Sequence, residues 1–482
     1  MPRAQFDFLD VARQMPRELP VATRLGLDVE IYGAFEPSEA KAQAGRCLDC
    51  GNPYCANGCP VGNAIPQWLE LVRQGRLFEA ATLAHETNPL PEICGRVCPQ
   101  DRLCEGACTL ETGFDAVTIG SIEKYLVDEA FKQGWRPDLS LVKPRKEHVA
   151  VVGAGPAGLA CADRLVRAGV AVTVYDRHDE IGGLLTFGIP PFKLEKSVIA
   201  TRRAVLEGMG VRFQLATDVG RDIEFGKLMH EHDAVFVGTG ATTPVDARLP
   251  GQSLPGVLPA LPFLIANARR VLGRTLDADE AAMLDLKGKT VRVLGGGDTA
   301  MDCVRTARRL GAAEVSCVYR RDEAAMPGSR REVKNARDEG VEFLFHRAPL
   351  AIEGEGRVQA LRVARTEAAG RGAFAIVEGE AETLAADVVI LAFGYRASPP
   401  AWLAEHGVRL ADSGLILGGS TASSTDAGWR PHSPYQTSLP RLWAGGDALR
   451  GADLVVTAVR DGRDAAAAML KAFKGIAVRA AA

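Results

Sequence analysis

No stretch of this sequence approaches the ~20 consecutive apolar residues that a membrane-spanning helix needs, so no segment of it reads as a bilayer span. The N-terminus, MPRAQFDFLDVARQMPRELP, lacks the apolar centre of a secretory signal and carries charges throughout. An excess of one charge is also missing. Lys and Arg total 57 against 60 Asp and Glu, a net charge of −3, which excludes a global basic field for nucleic acid or an anionic membrane. Beyond residue 108 the sequence is poor in cysteine: only Cys161, Cys303 and Cys317 remain, with no CxxC or similar pair. A dithiol redox centre is therefore not expected there. These absences predict a cytoplasmic chain that engages neither membrane nor nucleic acid.

What is present is enough for several cores. At roughly 150 residues per domain, 482 residues suggest three domains, and 47% hydrophobic with 24% charged residues is an ordinary globular composition. Eight of the 11 cysteines crowd between Cys47 and Cys108. The first block runs Cys47-x2-Cys50-x4-Cys55-x3-Cys59-Pro60; the second runs Cys94-x3-Cys98-Pro99, then Cys104-x3-Cys108. In a reducing compartment such density holds metal rather than disulfides. A zinc ribbon would show two CxxC knuckles, and only one exists here. Eight thiolates suit two 4Fe-4S clusters, and in bacterial ferredoxins a similar run sends its fourth cysteine, before proline, to the other cluster. That interleaving groups Cys47, Cys50 and Cys55 with Cys108. It groups Cys59, Cys98 and Cys104 together, with Cys94 or Glu123 as the fourth ligand. Between the blocks, PQWLELVRQGRLFEAATLAHETN spaces Trp68, Leu71, Val72, Leu77, Phe78 and Leu83 as an amphipathic helix pair. IGSIEKYLVDEAFKQG predicts a closing helix, and residues 135 to 147, polar with two prolines, a linker.

Immediately after the linker, HVAVVGAGPAGLACADRLVRAGVAVTVYD reads as strand, glycine turn, helix and strand. Gly153 permits the tight turn, Gly155 lets backbone approach a pyrophosphate, and Gly158 allows close packing of helix on strand. The second strand ends in Asp176, where a carboxylate can accept hydrogen bonds from a ribose. That acid at that distance favours a dinucleotide over a glycine turn without ligand. A looser unit, TVRVLGGGDTAMD, returns with Gly295, Gly296 and Gly297 followed by Asp298 and Thr299. Its second strand ends in Arg320 and Arg321, cations where the first unit has its acid. The expected ligand is a 2′-phosphate, hence NADPH, against the plainer reading of two arginines that solvate a strand end.

RLWAGGDALRGADLVVTAVRDGRDAA resembles the GD motif of flavoproteins with two dinucleotide domains. The resemblance implies that Asp447, after Gly446, binds the ribityl or phosphate part of FAD. It also implies that the helix opening near Thr457 points its N-terminus at the flavin ring. IGGLLTFGIPPFKLEK, with Gly182 and Gly183, resembles the loop over the flavin; VGTGA, with Gly240, and AFGY resemble the crossovers between the two domains. The implied fold is α/β: a helical iron-sulfur domain over 1–145, then an FAD domain in two parts, 146–248 and 401–482, interrupted by an NADPH domain over 249–400. Most such flavoproteins are disulfide reductases, a role the missing cysteine pair argues against.

Taken together, the order of modules, the CxxCxxxxCxxxCP block, FGIP, GGGDTAMD and the double arginine are similar to the small subunits of bacterial NADPH-dependent glutamate synthases, over essentially the whole chain. The resemblance implies oxidation of NADPH through FAD and two 4Fe-4S clusters. It implies a hetero-oligomer with a large subunit that carries glutaminase and FMN sites and makes L-glutamate from L-glutamine and 2-oxoglutarate. No side chain is expected to act as acid, base or nucleophile, and a glutaminase would require an N-terminal cysteine where this sequence begins Met-Pro-Arg. The same architecture occurs in NADPH:ferredoxin oxidoreductase subunits and in the N-terminal half of dihydropyrimidine dehydrogenase, the alternative readings.

Overall fold

A computed structural model describes residues 6–370, 373–419 and 433–480, with side chains up to 474 in the last stretch. The cysteine-bearing region is built from short helices, among them Ile65–Gln74, Leu77–Thr87, Pro91–Val97 and Ile119–Lys132. Ile65–Gln74 buries Trp68, Leu69 and Val72 on one face, the 3.6-residue spacing that its sequence shows. It stops at Gly75, whose φ of +76° supplies the left-handed cap. Its apolar face meets Ile122, Leu126 and Ala130 of the closing helix in a core that runs on without a break into the next domain.

That domain is a parallel sheet of five strands in the order Leu442–Ala444, Ala234–Val237, His148–Val152, Ala171–Tyr175, Arg212–Gln214. Three central strands are buried almost throughout, which is why they read as unbroken apolar runs rather than alternating ones. The edge strand Leu442–Ala444 arrives from far along the chain. Between it and Ala234–Val237 lies a second parallel sheet, Val257–Pro259, Val388–Leu391, Thr290–Leu294, Glu314–Val318, Glu342–Leu344, with its own core. The second dinucleotide domain is thus inserted into the first. The two crossing segments pair at Thr243–Pro244 and Tyr395–Arg396, close to the 248 and 400 expected from sequence.

Two features have no counterpart in the sequence reading. Arg347–Glu353, Ala360–Ala368 and Phe374–Ala385 form an antiparallel sheet that packs Ile352, Leu361 and Val363 on Leu294, Val318 and Val389 of the second domain. A largely extended N-terminal strap crosses all three bodies: Glu30 pairs with Arg96 and Lys124 of the cysteine region and accepts from the backbone of Glu195. Tyr32 bonds Asn335, and Arg24 pairs with Glu339, in the second domain.

Candidate cofactor cleft and cysteine sites

The first glycine turn follows His148–Val152 and opens the helix Pro156–Arg167. Gly153 has φ +104°, and a Cβ there would stand 2.5 Å from the carbonyl oxygen of Gly238. At Gly158 a Cβ would sit 1.9 Å from the Gly153 carbonyl, so this glycine serves the packing of the turn on itself. Gly155 differs, because a Cβ there would meet nothing within 4 Å. It faces a cleft of about 590 Å³ that runs along the C-terminal edges of both sheets, where open α/β folds bind their ligands.

Gly183, Gly240, Gly446, Asp447 and Asp176 also line this cleft. Gly183 brings its backbone within reach of Gly155, since its Cβ would lie 3.1 Å from Gly155 Cα. Gly182 sits behind it and donates 2.8 Å to the Ala154 carbonyl. Asp176 accepts from Ala154 N at 2.7 Å and His178 N at 2.8 Å, which locks the glycine turn; a carboxylate has acceptor sites for a ribose besides. Burial, with Asp453 and Asp461 adding, pushes the Asp447 carboxyl up to about 7. Thr457 is not on the cleft wall: its hydroxyl turns back to the Leu454 carbonyl at 2.7 Å, while Leu454, Val455 and Ala458 form the wall beside it.

At the second turn, Gly295 has φ +137° and its Cβ would lie 2.3 Å from the Ala392 carbonyl. Gly297 precedes the helix Asp298–Arg309, whose Asp298, Thr299 and Asp302 line the same cleft. Fully buried Ala300 takes the third small position; the spacing G-x-G-x-x-A contained that signal. Arg320 and Arg321 stand outside the cleft wall, at the end of Glu314–Val318. Arg320 lies over the Phe374 ring at 4.7 Å, and Arg321 donates 2.8 and 3.1 Å to the Tyr319 hydroxyl. Tyr319 joins them to the turn, for a Cβ on Gly296 would come 2.6 Å from its ring.

The residues fit a dinucleotide ligand. Thr239 Oγ1 is buried at the cleft without a hydrogen-bond partner among the described residues, and Gly155 and Gly240 leave open space where side chains would intrude. One positioning residue escaped the sequence reading. Asp461, fully buried on the helix Val455–Ala480, accepts from Gly446 N at 3.1 Å and Arg450 Nε at 2.7 Å, and so fixes the GD turn.

None of the eight N-terminal cysteines is in a disulfide, and they gather in two groups. Cys47, Cys50, Cys55 and Cys108 line one small apolar pocket with Leu69, Val117 and Ile119. Burial, then Cys47 and Cys108, pushes the Cys55 thiol up to about 12. In the second group Cys98 is hydrogen-bonded to Cys94, which with burial raises it well above the usual thiol range. Cys104 is raised by burial, with Cys59 among its neighbours. Glu123 stands at this group too. Its Oε1 accepts from Asn63 at 3.1 Å and Asn88 at 3.3 Å, and burial pushes it up to about 8. Among the described residues no three His, Cys, Asp or Glu side chains converge on a single metal ion, as a closed zinc site would require at Zn–S distances of about 2.3 Å. Four thiols around one apolar pocket are the donor set of a thiolate-bound group.

A nucleotide cleft shared by two glycine turns, joined to a thiol-lined helical module, defines an oxidoreductase that uses FAD, NADPH and iron-sulfur chemistry. The pyridine nucleotide-disulphide oxidoreductase family matches residues 147–462, and dihydropyrimidine dehydrogenase domain II, 4Fe-4S cluster, matches residues 27–135. Glutamate synthase [NADPH] small chains are similar over nearly the full length. That of Halomonas elongata is 53% identical, covering 96% of this chain and 97% of the relative; that of Escherichia coli is 54% identical with the same coverage. The putative oxidoreductase AegA of E. coli is 52% identical over 94% of this chain and 69% of its own length. The structure of FprA from Mycobacterium tuberculosis in complex with NADPH shares the fold at 21% identity, with a TM-score of 0.58 over 70% of this chain and 86% of that one. The chain belongs to the family of NADPH-dependent glutamate synthase small chains. As such it oxidises NADPH and works with a large-subunit partner. Among the described residues no helix is long and apolar enough to cross a membrane.

Proposed function

We propose that this chain is the electron-input subunit of a cytoplasmic hetero-oligomer. It takes a hydride from NADPH and hands single electrons through two 4Fe-4S clusters to a large subunit. That partner carries glutaminase and FMN sites and makes L-glutamate from L-glutamine and 2-oxoglutarate. When bound, FAD supplies the conversion of a two-electron donor into single electrons.

The chain's own residues bind and orient. Gly153, Gly155, Gly158, Gly182, Gly183, Gly240, Gly446, Asp176 and Asp447 serve the FAD half, with Thr457 behind the wall and its hydroxyl on the Leu454 carbonyl; Gly295, Gly297, Asp298, Thr299, Arg320 and Arg321 serve NADPH. Amides at the starts of Pro156–Arg167 and Asp298–Arg309 would hold the diphosphates. The start of Val455–Ala480 would offer a partial positive charge to a bound flavin. Leu184, Leu185 and Ile189 give that part of the cleft an apolar wall that excludes water. For the clusters we assign Cys47, Cys50, Cys55 and Cys108 to one, and Cys59, Cys94, Cys98 and Cys104 to the other. Cys94 is preferred to Glu123 because it is bonded to Cys98, whereas Glu123 is turned onto two amides.

One observation carries the reading: Val97 and Pro99, on either side of Cys98, are themselves walls of the cleft. Beyond Cys98, Cys104 has Cys59 and then Cys55 of the other group as neighbours, and the Cys47 group is the less buried of the two. The order is cleft, second group, first group, surface.

Anaerobic affinity purification from the native host tests it. A large glutaminase-bearing subunit should co-purify, and NADPH oxidation by the complex should require glutamine with 2-oxoglutarate. A chain that comes down alone, or oxidation indifferent to both substrates, overturns the assignment. The near-equal identity to AegA favours the same input module serving another acceptor as the second reading, and that outcome would select it.

A further inference from the structure

The two dinucleotide domains are joined by a short ribbon in which Thr243–Pro244 pairs with Tyr395–Arg396, Val245 N donates 3.0 Å to the Gly394 carbonyl, and the Thr242 and Ser398 hydroxyls lie 3.1 Å apart. So short a ribbon does not by itself fix the angle between them, yet hydride transfer requires reacting atoms about 3–3.5 Å apart, and a displacement near 1 Å can cost about a hundredfold in rate. The register must come from further contacts between the domains, those of the N-terminal strap and those across the cleft.

One such set is built at its wall. Lys193, on the loop after FGIPP in the first domain, donates 3.2 Å to Asp302 Oδ1, one turn inside the helix Asp298–Arg309 of the second. Their side chains are 9% and 8% exposed, and both line the cleft. Burial, with Glu332 and Asp298 working against Lys193, pushes Asp302 up to about 6, so both partners are charged at neutral pH. Beside them the buried ring of Phe192 is covered by two guanidinium groups of the same helix, Arg305 at 4.3 Å and Arg309 at 4.1 Å. Glu332 and Glu339 hold those arginines in place. A buried ion pair adds little net stability, because desolvation offsets attraction, but loss of one partner is costly. Its effect here is on geometry.

We propose that Lys193 and Asp302, with Phe192 seated under Arg305 and Arg309, form a latch that holds the NADPH domain in hydride-transfer register with the FAD domain. They are positioning residues, and the proposal rests on the reading of the cleft as the shared site of FAD and NADPH.

Anaerobic stopped-flow and deuterium exchange test it on purified protein. In Lys193→Met and Asp302→Asn, bleaching of the flavin at saturating NADPH should slow about tenfold or more with little change in NADPH affinity, and Lys193→Arg should recover most of the loss. The double variant K193M/D302L leaves no uncompensated charge; it should fold, retain FAD and remain slow. Without NADPH, deuterium uptake over residues 188–195 and 298–309 should rise in the variants that lack the pair. Wild-type bleaching rates in Lys193→Met and in the double variant, or unchanged uptake, would overturn the latch. If NADPH fails to bleach the wild-type flavin, the reading of the cleft falls instead, and the exchange data still decide the latch.

Discussion

Gly462 lies so close to Ala157 that a Cβ on it would stand 1.9 Å from the Ala157 carbonyl oxygen. This is where the helix Val455–Ala480 crosses Pro156–Arg167, directly behind the first glycine turn. Backbone cannot yield as a side-chain tip would. Gly462→Ala should push the helices apart at an overpacking cost of about 1–3 kcal/mol and release FAD, because Val455 and Ala458 of the same helix wall the cleft. Flavin content and the denaturation midpoint check this; a variant with full flavin and an unchanged midpoint would contradict it.

Gly155 and Gly158 should separate binding from folding. A methyl group at Gly155 enters open cleft space, whereas one at Gly158 collides with Gly153. Gly155→Ala should therefore unfold at the wild-type midpoint in the absence of FAD but bind FAD more weakly. Gly158→Ala should lose stability outright. Titration of FAD into stripped protein, with circular dichroism for the fold, distinguishes the two, and equal behaviour would refute the separate roles.

Arg320 and Arg321 sit one tyrosine away from the second turn. If they receive the 2′-phosphate, replacing both with alanine removes charge-assisted bonds of about 1.5–3 kcal/mol each. The Michaelis constant for NADPH should rise by about tenfold or more, while that for NADH stays nearly constant. A parallel rise in both would remove the phosphate role.

Lys196 Nζ donates 2.9 Å to the Leu185 carbonyl and 2.5 Å to that of Ile189, holding the FGIP loop. Burial pushes its amine down to about 7, with Asp302 opposing. In the unfolded chain a lysine titrates near 10.4, so between about pH 7 and 10 the unfolded state binds more protons than the folded one. Stability from this group must then rise with pH over that window. Relative to Lys196→Met, the wild type should gain unfolding free energy from pH 7 to pH 9 in denaturant titrations. A gap that narrows would show that the amine is not depressed.

These residues differ in how much of their role can be read before the fold is seen. The glycine turns are legible because their constraint is local: a strand end, a positive φ at Gly153 and a helix start all lie within a few residues. The grouping of the cysteines is not local in this sense: Cys108 shares a pocket with Cys47, Cys50 and Cys55 from far along the chain, and only the likeness to a ferredoxin run suggests it. Lys193, Asp302, Asp461 and Gly462 carry no such local mark. Lys193 is one lysine in a charged loop, and its meaning comes from a helix more than a hundred residues away. The antiparallel sheet has visible alternation in ALRVARTEA, yet Phe374–Ala385 beside it faces solvent over most of its length, and the sheet's apolar side is defined by the Leu294 and Val389 surface it covers. The strap has no period at all, because ion pairs and single backbone bonds hold it rather than one apolar face.

The late return of Leu442–Ala444 to the first sheet has a bearing on synthesis. A ribosome completes the cysteine module within the first 135 residues and the whole second domain before 400, while the FAD cleft still lacks its edge strand, Gly446, Asp447 and the helix that Gly462 seats. Cluster thiols are therefore in place hundreds of residues before the flavin can be retained. A stop codon between residue 400 and this last segment leaves all eight N-terminal cysteines in the chain but removes Gly446, Asp447 and the helix that lines the FAD cleft.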